Sequence, residues 1–231
     1  GWHRADQLQR QLEAWVAKLD DEPEAEAALG AVRAAHEELL KQMSEGFTQA
    51  LGGAAWTVPG ALAQTQVYAQ VVKPGEGRVA YFLIDALRYE MGVELSQQLP
   101  DAEDLVVRPA LAALPTLTPV GMAALLPGAA GSFSVGTERG SLAAVVSGKP
   151  LRNANDRTRL VKAEVPEAVD LTLGKALQSS SAQLRRFLGE APLIVVRSQE
   201  IDALGESGDD FLARQVMDTT LGNVARAIRK F

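Results

Sequence analysis

The sequence predicts a layered α/β fold: a largely parallel sheet flanked by helices and preceded by a helical hairpin. Three observations carry this. Arg78-Val79-Ala80-Tyr81-Phe82-Leu83-Ile84 and Leu193-Ile194-Val195-Val196-Arg197 are continuous apolar runs of strand length, the pattern of strands buried on both faces. Segments of helical period alternate with such runs along the chain. The opening residues, 1–52, show helical period alone.

Element by element, Leu8, Leu12, Trp15, Val16 and Leu19 recur at three- and four-residue spacing and predict a first helix. Asp20-Asp21-Glu22-Pro23 interrupts it, with Pro23 suited to the start of a second helix bearing Leu29, Val32, Leu39, Leu40 and Met43. Gly52-Gly53 closes that helix. Residues 53–77 read as a connector with a short helical middle, ending in the turn Lys73-Pro74-Gly75-Glu76-Gly77. Residues 78–231 then form the α/β unit. Its strands are the two apolar runs, Leu105-Val106-Val107, Phe133-Ser134-Val135 and Leu142 to Val146. Its helices are Arg88 to Leu99, Pro119 to Leu126, Asn153 to Ala163, Leu177 to Gly189 and Asp210 to Phe231.

Composition narrows the chemistry. Among 231 residues there is no cysteine, which excludes disulfides, thiolate zinc sites and cysteine nucleophiles. The net charge of −6 argues against a surface that coats nucleic acid, though not against a local groove. No apolar run is long enough to cross a bilayer and no signal-peptide pattern opens the chain, so a cytoplasmic location is expected. The two histidines, His3 and His36, both fall in the opening helices. A metal site further along must use oxygen ligands or borrow histidines from elsewhere.

Ligands in open α/β sheets bind beyond the carboxyl ends of the strands, and three loops there hold polar groups. Asp85 directly follows the first apolar run and reads either as a hard-cation ligand or as a helix cap. In Leu114-Pro115-Thr116-Leu117-Thr118-Pro119-Val120-Gly121-Met122, Pro119 suits a first helical position and puts Thr118 at the cap. The Thr118 hydroxyl is then either an ordinary cap or a nucleophile; Thr116 is the less well placed alternative. After the last apolar run, Asp202 and Glu206 are four apart, spaced to share a cation or to form a solvated acidic loop.

Together these loops resemble the PglZ family of bacterial BREX phage-defence systems, within the alkaline-phosphatase superfamily. The stretches that carry the resemblance are Tyr81-Phe82-Leu83-Ile84-Asp85-Ala86-Leu87-Arg88-Tyr89-Glu90 and Leu114 to Pro127, in matching order and separation. The resemblance implies an alkaline-phosphatase-like fold over residues 78–231, incomplete here, and a metal-dependent phosphodiesterase or phosphatase. Asp85 takes the place of a strand-end metal ligand, and Thr118 that of the nucleophile and a ligand. Asp202-Ala203-Leu204-Gly205-Glu206 takes that of an Asp-x-x-Gly-His element, with Glu206 for the histidine. Two zinc ions, or manganese, are the implied cofactors. Other BREX proteins, and DNA or a nucleotide phosphodiester, are the implied partners. The family's later Asp-His-Gly and terminal histidine are not found, so the chain reads as a truncated segment that binds metal poorly by itself. The alternative is a non-catalytic scaffold or DNA- or partner-binding module of the same defence complex.

Overall fold

The two long apolar runs do pair with each other, in parallel and in register from Val79↔Leu193 to Ile84↔Ser198. The structure, a computed structural model, describes residues 1–16, 23–73, 77–138, 140–205 and 210–231. In chain order the elements are α1 (His3–Val16), α2 (Pro23–Gly53), β1 (Leu62–Ala63), β2 (Val79–Ile84), α3 (Tyr89–Gln97), β3 (Ala110–Leu111) and α4 (Thr118–Ala124). There follow α5 (Ala129–Ser132), β4 (Ser134–Glu138), β5 (Ser141–Val146), β6 (Lys149–Leu151), α6 (Ala154–Glu164) and β7 (Val169–Thr172). The last are α7 (Leu173–Gln178), α8 (Ser181–Leu188), β8 (Leu193–Ser198), α9 (Glu200–Gly205) and α10 (Asp210–Ile228). A 3-10 turn, Gln64–Gln66, and a π-helical turn, Tyr68–Val72, fill the connector.

The principal sheet has the order β2-β8-β7 and is parallel throughout. β8 lies at its centre, and side-chain alternation divides its residues between two cores. Leu193 and Val195 join Leu83, Ala123, Leu126, Leu160 and Val161 on one face. Ile194 and Val196 join Leu171, Leu173, Leu184, Leu188 and Val224 on the other. Both faces are covered by helices, which is why β8 is apolar at consecutive positions rather than alternate ones. A smaller group of Met91, Ile201 and Leu221 packs α3, α9 and α10 together.

The expected parallel sheet is present, together with an antiparallel one that the sequence did not announce. The strands β4-β5-β6 form a separate antiparallel sheet, while β1 and β3 make a short parallel pair. Leu105-Val106-Val107 is not a strand, and all three residues are exposed. Three apolar residues do not fix a register, and β1 finds its partners further on, at Ala110 and Leu111. The helix expected over Leu177 to Gly189 is two helices, α7 and α8. Ser180 restarts the helix by a capping box: its hydroxyl accepts the Gln183 amide at 3.2 Å, and the Gln183 side chain accepts the Ser180 amide at 2.9 Å. The strands β6 and β7, three and four residues long, lie outside the apolar runs read from sequence.

On α1 the buried side chains are not those its apolar spacing predicts, whereas on α2 the expected Leu29, Leu40 and Met43 are half-covered. Leu8 and Trp15 on α1 and Val32 and Leu39 on α2 are exposed, while Arg10 and Glu13 are buried. Arg33 on α2 donates to both Glu13 carboxylate oxygens, at 2.8 and 2.9 Å, and Trp2 meets the Phe47 ring edge-on at 6.0 Å. Arg10 donates to Glu90 of α3 at 3.2 Å and pairs with Glu94 of α3 and Asp218 of α10. Burial works against the Arg10 charge, but the hydrogen bonds and charges of Glu90 and Glu94 outweigh it and hold the guanidinium above its ordinary pKa. Among the described residues, no helix is long and apolar enough to cross a membrane.

Candidate functional site

The register of the principal sheet sets two carboxylates side by side. Ile84 and Ser198 are the last paired residues of β2 and β8, and the ladder continues as the Asp85 amide donates to the Ser198 carbonyl at 2.9 Å. Asp85 thus leaves the carboxyl end of one strand, and Asp202, in the first turn of α9, leaves the end of its neighbour. Strand ends of this kind are where open α/β sheets bind their ligands. Thr118, on the first turn of α4, meets them from the third side, its hydroxyl donating to Asp85 Oδ1 at 3.4 Å. Asp85, Thr118 and Asp202 line one open cleft of about 390 Å³, with Gln64, Arg88 and Thr116 at its margins.

Neither capping reading survives. The helix after Asp85 begins only at Tyr89 and is capped at Arg88 without a side-chain bond, so Asp85 does not cap it. Instead Ala86 turns into the left-handed region, at φ 58°, and its amide donates to Asp85 Oδ1 at 3.1 Å. Thr118 is not the cap of α4 either. Leu117 holds that position, its carbonyl accepting from the Val120 and Gly121 amides at 2.9 Å, and Pro119 follows one place later than expected. The Thr118 hydroxyl is therefore not spent on a helix end and turns to Asp85.

Asp85 is buried, with 6% of its surface exposed, and its Oδ2 has no hydrogen-bond partner among the described residues. Burial first, and then the charge of Asp202, push its carboxyl above the ordinary carboxylate range. The Ala86 amide, the Gln199 side chain and the Thr118 hydroxyl act the other way without cancelling this. A buried carboxylate oxygen without a donor, facing a second carboxylate, is a costly arrangement that a cation would relieve. The donor set of two carboxylates and a hydroxyl is hard and suits a divalent cation held by oxygen. It does not close a coordination shell alone: among the described residues no three His, Cys, Asp or Glu side chains gather as a metal site. Glu206 lies outside the described residues. His3 sits on α1, edge-on to Tyr89 at 5.6 Å, and His36 on α2, so neither comes from the strand ends.

A second cavity, of about 180 Å³, meets the first at Asp85 and Met122. Its polar lining includes Arg157 and Thr158 of α6, Asp170 of β7, and Arg197 and Gln199. None of these was singled out in the sequence. The available signal was a charged run, Asn155-Asp156-Arg157-Thr158-Arg159, entering a helix after a strand.

A parallel sheet sandwiched by helices, with strand-end carboxylates beside a helix-borne hydroxyl, defines an alkaline-phosphatase-like α/β domain. The chain belongs to the PglZ family: the family model described as the BREX system PglZ alkaline phosphatase-like domain matches residues 63–224. The chain is also 40% identical over 80 residues to the alkaline phosphatase-like protein BrxZ of Escherichia coli O9:H4 (strain HS), a match covering 32% of this chain and 9% of that protein.

Proposed function

We propose that this domain is the nucleophile-bearing part of a metal-dependent phosphoric-ester hydrolase in a BREX bacteriophage-resistance system. The observation that carries the reading is the Thr118 hydroxyl, released from capping and donating to Oδ1 of a buried carboxylate, Asp85, whose Oδ2 has no partner among the described residues. Asp85, Thr118, Asp202 and Glu206 are the residues that would hold the metal, two zinc ions or manganese, with further ligands from outside this chain. A bound divalent cation supplies charge neutralisation and lowers the pKa of an attached hydroxyl. Thr118 Oγ1 attacks phosphorus in line, its bond to phosphorus forming as the ester oxygen departs, and water then cleaves the phosphothreonine. The hydroxyl proton leaves along the existing hydrogen bond toward Asp85 Oδ1. The substrate class is a phosphodiester, of a nucleotide or of DNA, and the working partners are other BREX proteins in the cytoplasm. In the corresponding domain reading, residues 1–52 form a helical hairpin, residues 53–77 a connector, and residues 78–231 the N-terminal portion of the phosphatase-like domain.

The test is hydrolysis of a chromogenic phosphodiester by the full-length protein with zinc or manganese. Thr118→Ala is expected to reduce kcat at least about 100-fold, the scale of losing a covalent catalyst. Turnover equal to wild type removes Thr118 as nucleophile. One observation favours a second reading, a non-catalytic scaffold of the same complex. Trp2, Leu8, Trp15, Val32 and Leu39 are exposed on the opening helices, which suits a partner surface. That reading predicts phage defence that survives Asp85→Ala with Asp202→Ala but is lost when residues 1–52 are deleted.

A further inference from the structure

The cavity behind Asp85 contains a guanidinium that nearby carboxylates attract but none bonds. Arg157 projects from α6 into it, half-buried, and its guanidinium makes no hydrogen bond or ion pair among the described residues. Its neighbours are already committed. Asp170 Oδ1 accepts from Arg197 Nε at 2.8 Å and Nη2 at 2.7 Å, and Asp170 Oδ2 accepts from the Thr158 hydroxyl at 2.8 Å. Asp156 accepts the Arg152 amide at 3.2 Å and faces Arg159 at 3.6 Å. Asp85 attracts Arg157 but does not touch it, and keeps its own Oδ2 unpartnered. Burial and the adjacent Arg197 both disfavour the Arg157 charge, yet a guanidinium stays protonated in proteins. An unpaired cation and an unpaired carboxylate oxygen thus line one small cavity without satisfying each other. A ligand that meets both must present an oxyanion to Arg157 and leave room for a cation at Asp85. The aliphatic lining from Leu83, Met122, Leu126 and Val161 shields that charge from water and strengthens the attraction.

We infer that Arg157 is the phosphate-binding residue of this domain, its guanidinium holding the non-bridging oxygens of a phosphate group in the cavity behind Asp85. This rests on the phosphoric-ester reading for its substrate class, but the anion site itself is testable without metal or turnover. Arg157 here is a binding residue. The nucleophile is Thr118, and Thr158 and Arg197 position the cavity wall by fixing Asp170.

The experiment is an NMR titration of the isotopically labelled, metal-free chain with methyl phosphate. A saturable shift of the Arg157 side-chain and the Thr158 and Thr172 amide signals is expected. Affinity should fall at least tenfold in Arg157→Met and only partly in Arg157→Lys, which keeps the charge but loses the fork. Arg157→Met should melt no lower than wild type without anion, because it removes a half-buried charge that no side chain bonds. No saturable shift in the wild type, unchanged affinity in Arg157→Met, or a marked loss of stability in that variant overturns the inference. If anion binding holds while Thr118→Ala leaves hydrolysis intact in the full-length protein, the nucleophile assignment fails and the Arg157 site stands.

Discussion

At the scale of single residues, Asp85 and Ala86 hold strain at the point where chemistry is proposed. The Asp85 carboxyl is raised by burial and by Asp202, so the folded state binds its proton more tightly than the unfolded chain does. The burial cost is therefore absent below the ordinary carboxylate pKa, about 4, and grows as pH rises through the raised folded value. In the metal-free chain, Asp85→Asn is expected to raise the melting temperature at pH 7 and to gain little at pH 3. Equal gains at both pH values would show that the charge is not the cause. Ala86 holds a left-handed backbone at φ 58° that costs a non-glycine residue about 1 kcal/mol. Ala86→Gly relieves that and should be neutral to stabilising in urea unfolding, against the usual loss of about 0.5–1 kcal/mol. The position of Asp85 just past a strand was legible, because an apolar run fixes where its strand stops, whereas Thr118 lies one place inside α4 rather than at its cap. Arg157 was not legible. Its significance lies in what Asp170, Asp156 and Asp85 leave undone, which only their placement reveals.

At the scale of elements, a buried arginine ties α1 to the domain. Arg10 reaches Glu90, Glu94 and Asp218, and Glu90 is 1% exposed. Arg10→Ala leaves Glu90 buried with, among the described residues, only the half-exposed Arg88 paired to it, at 2.9 Å. A loss of about 3 kcal/mol is expected from denaturant unfolding, the scale for breaking a buried pair. Glu90→Gln added to Arg10→Ala should recover part of it, since the stranded charge is then gone. The long buried strands were legible because both faces are covered and the signal is continuous. The helix α1 was legible as a helix but not in its orientation. Its apolar stripe of Leu8 and Trp15 faces solvent while Arg10 and Glu13 face inward, an arrangement decided by carboxylates and an arginine on other elements. The break between α7 and α8 turned on a local hydrogen-bond exchange at Ser180 that apolar spacing does not register.

At the scale of the whole molecule, the net charge of −6 shapes any meeting with nucleic acid. Each phosphate neutralised contributes a slope of about −0.9 to log K against log salt. A local contact on an acidic domain should give duplex DNA a slope no steeper than about −3, measurable by fluorescence anisotropy across salt concentrations. A slope of about −6 or beyond would require a basic surface that the composition does not supply. The parallel architecture was legible from two runs far apart in the chain, whereas the antiparallel pairing of β4, β5 and β6 was not, although two of these strands were read as such. That separation bears on how the protein is made. At the foot of the central pair, Arg78 donates to the Ala191 carbonyl 113 positions later. A ribosome adding about 5–20 residues per second leaves β2 without its partner for on the order of ten seconds after it emerges. The β4-β5-β6 meander closes on near neighbours during that interval, so a nascent chain carries a folded hairpin sheet beside an apolar strand still waiting for β8. That interval is when a chaperone has the most to bind.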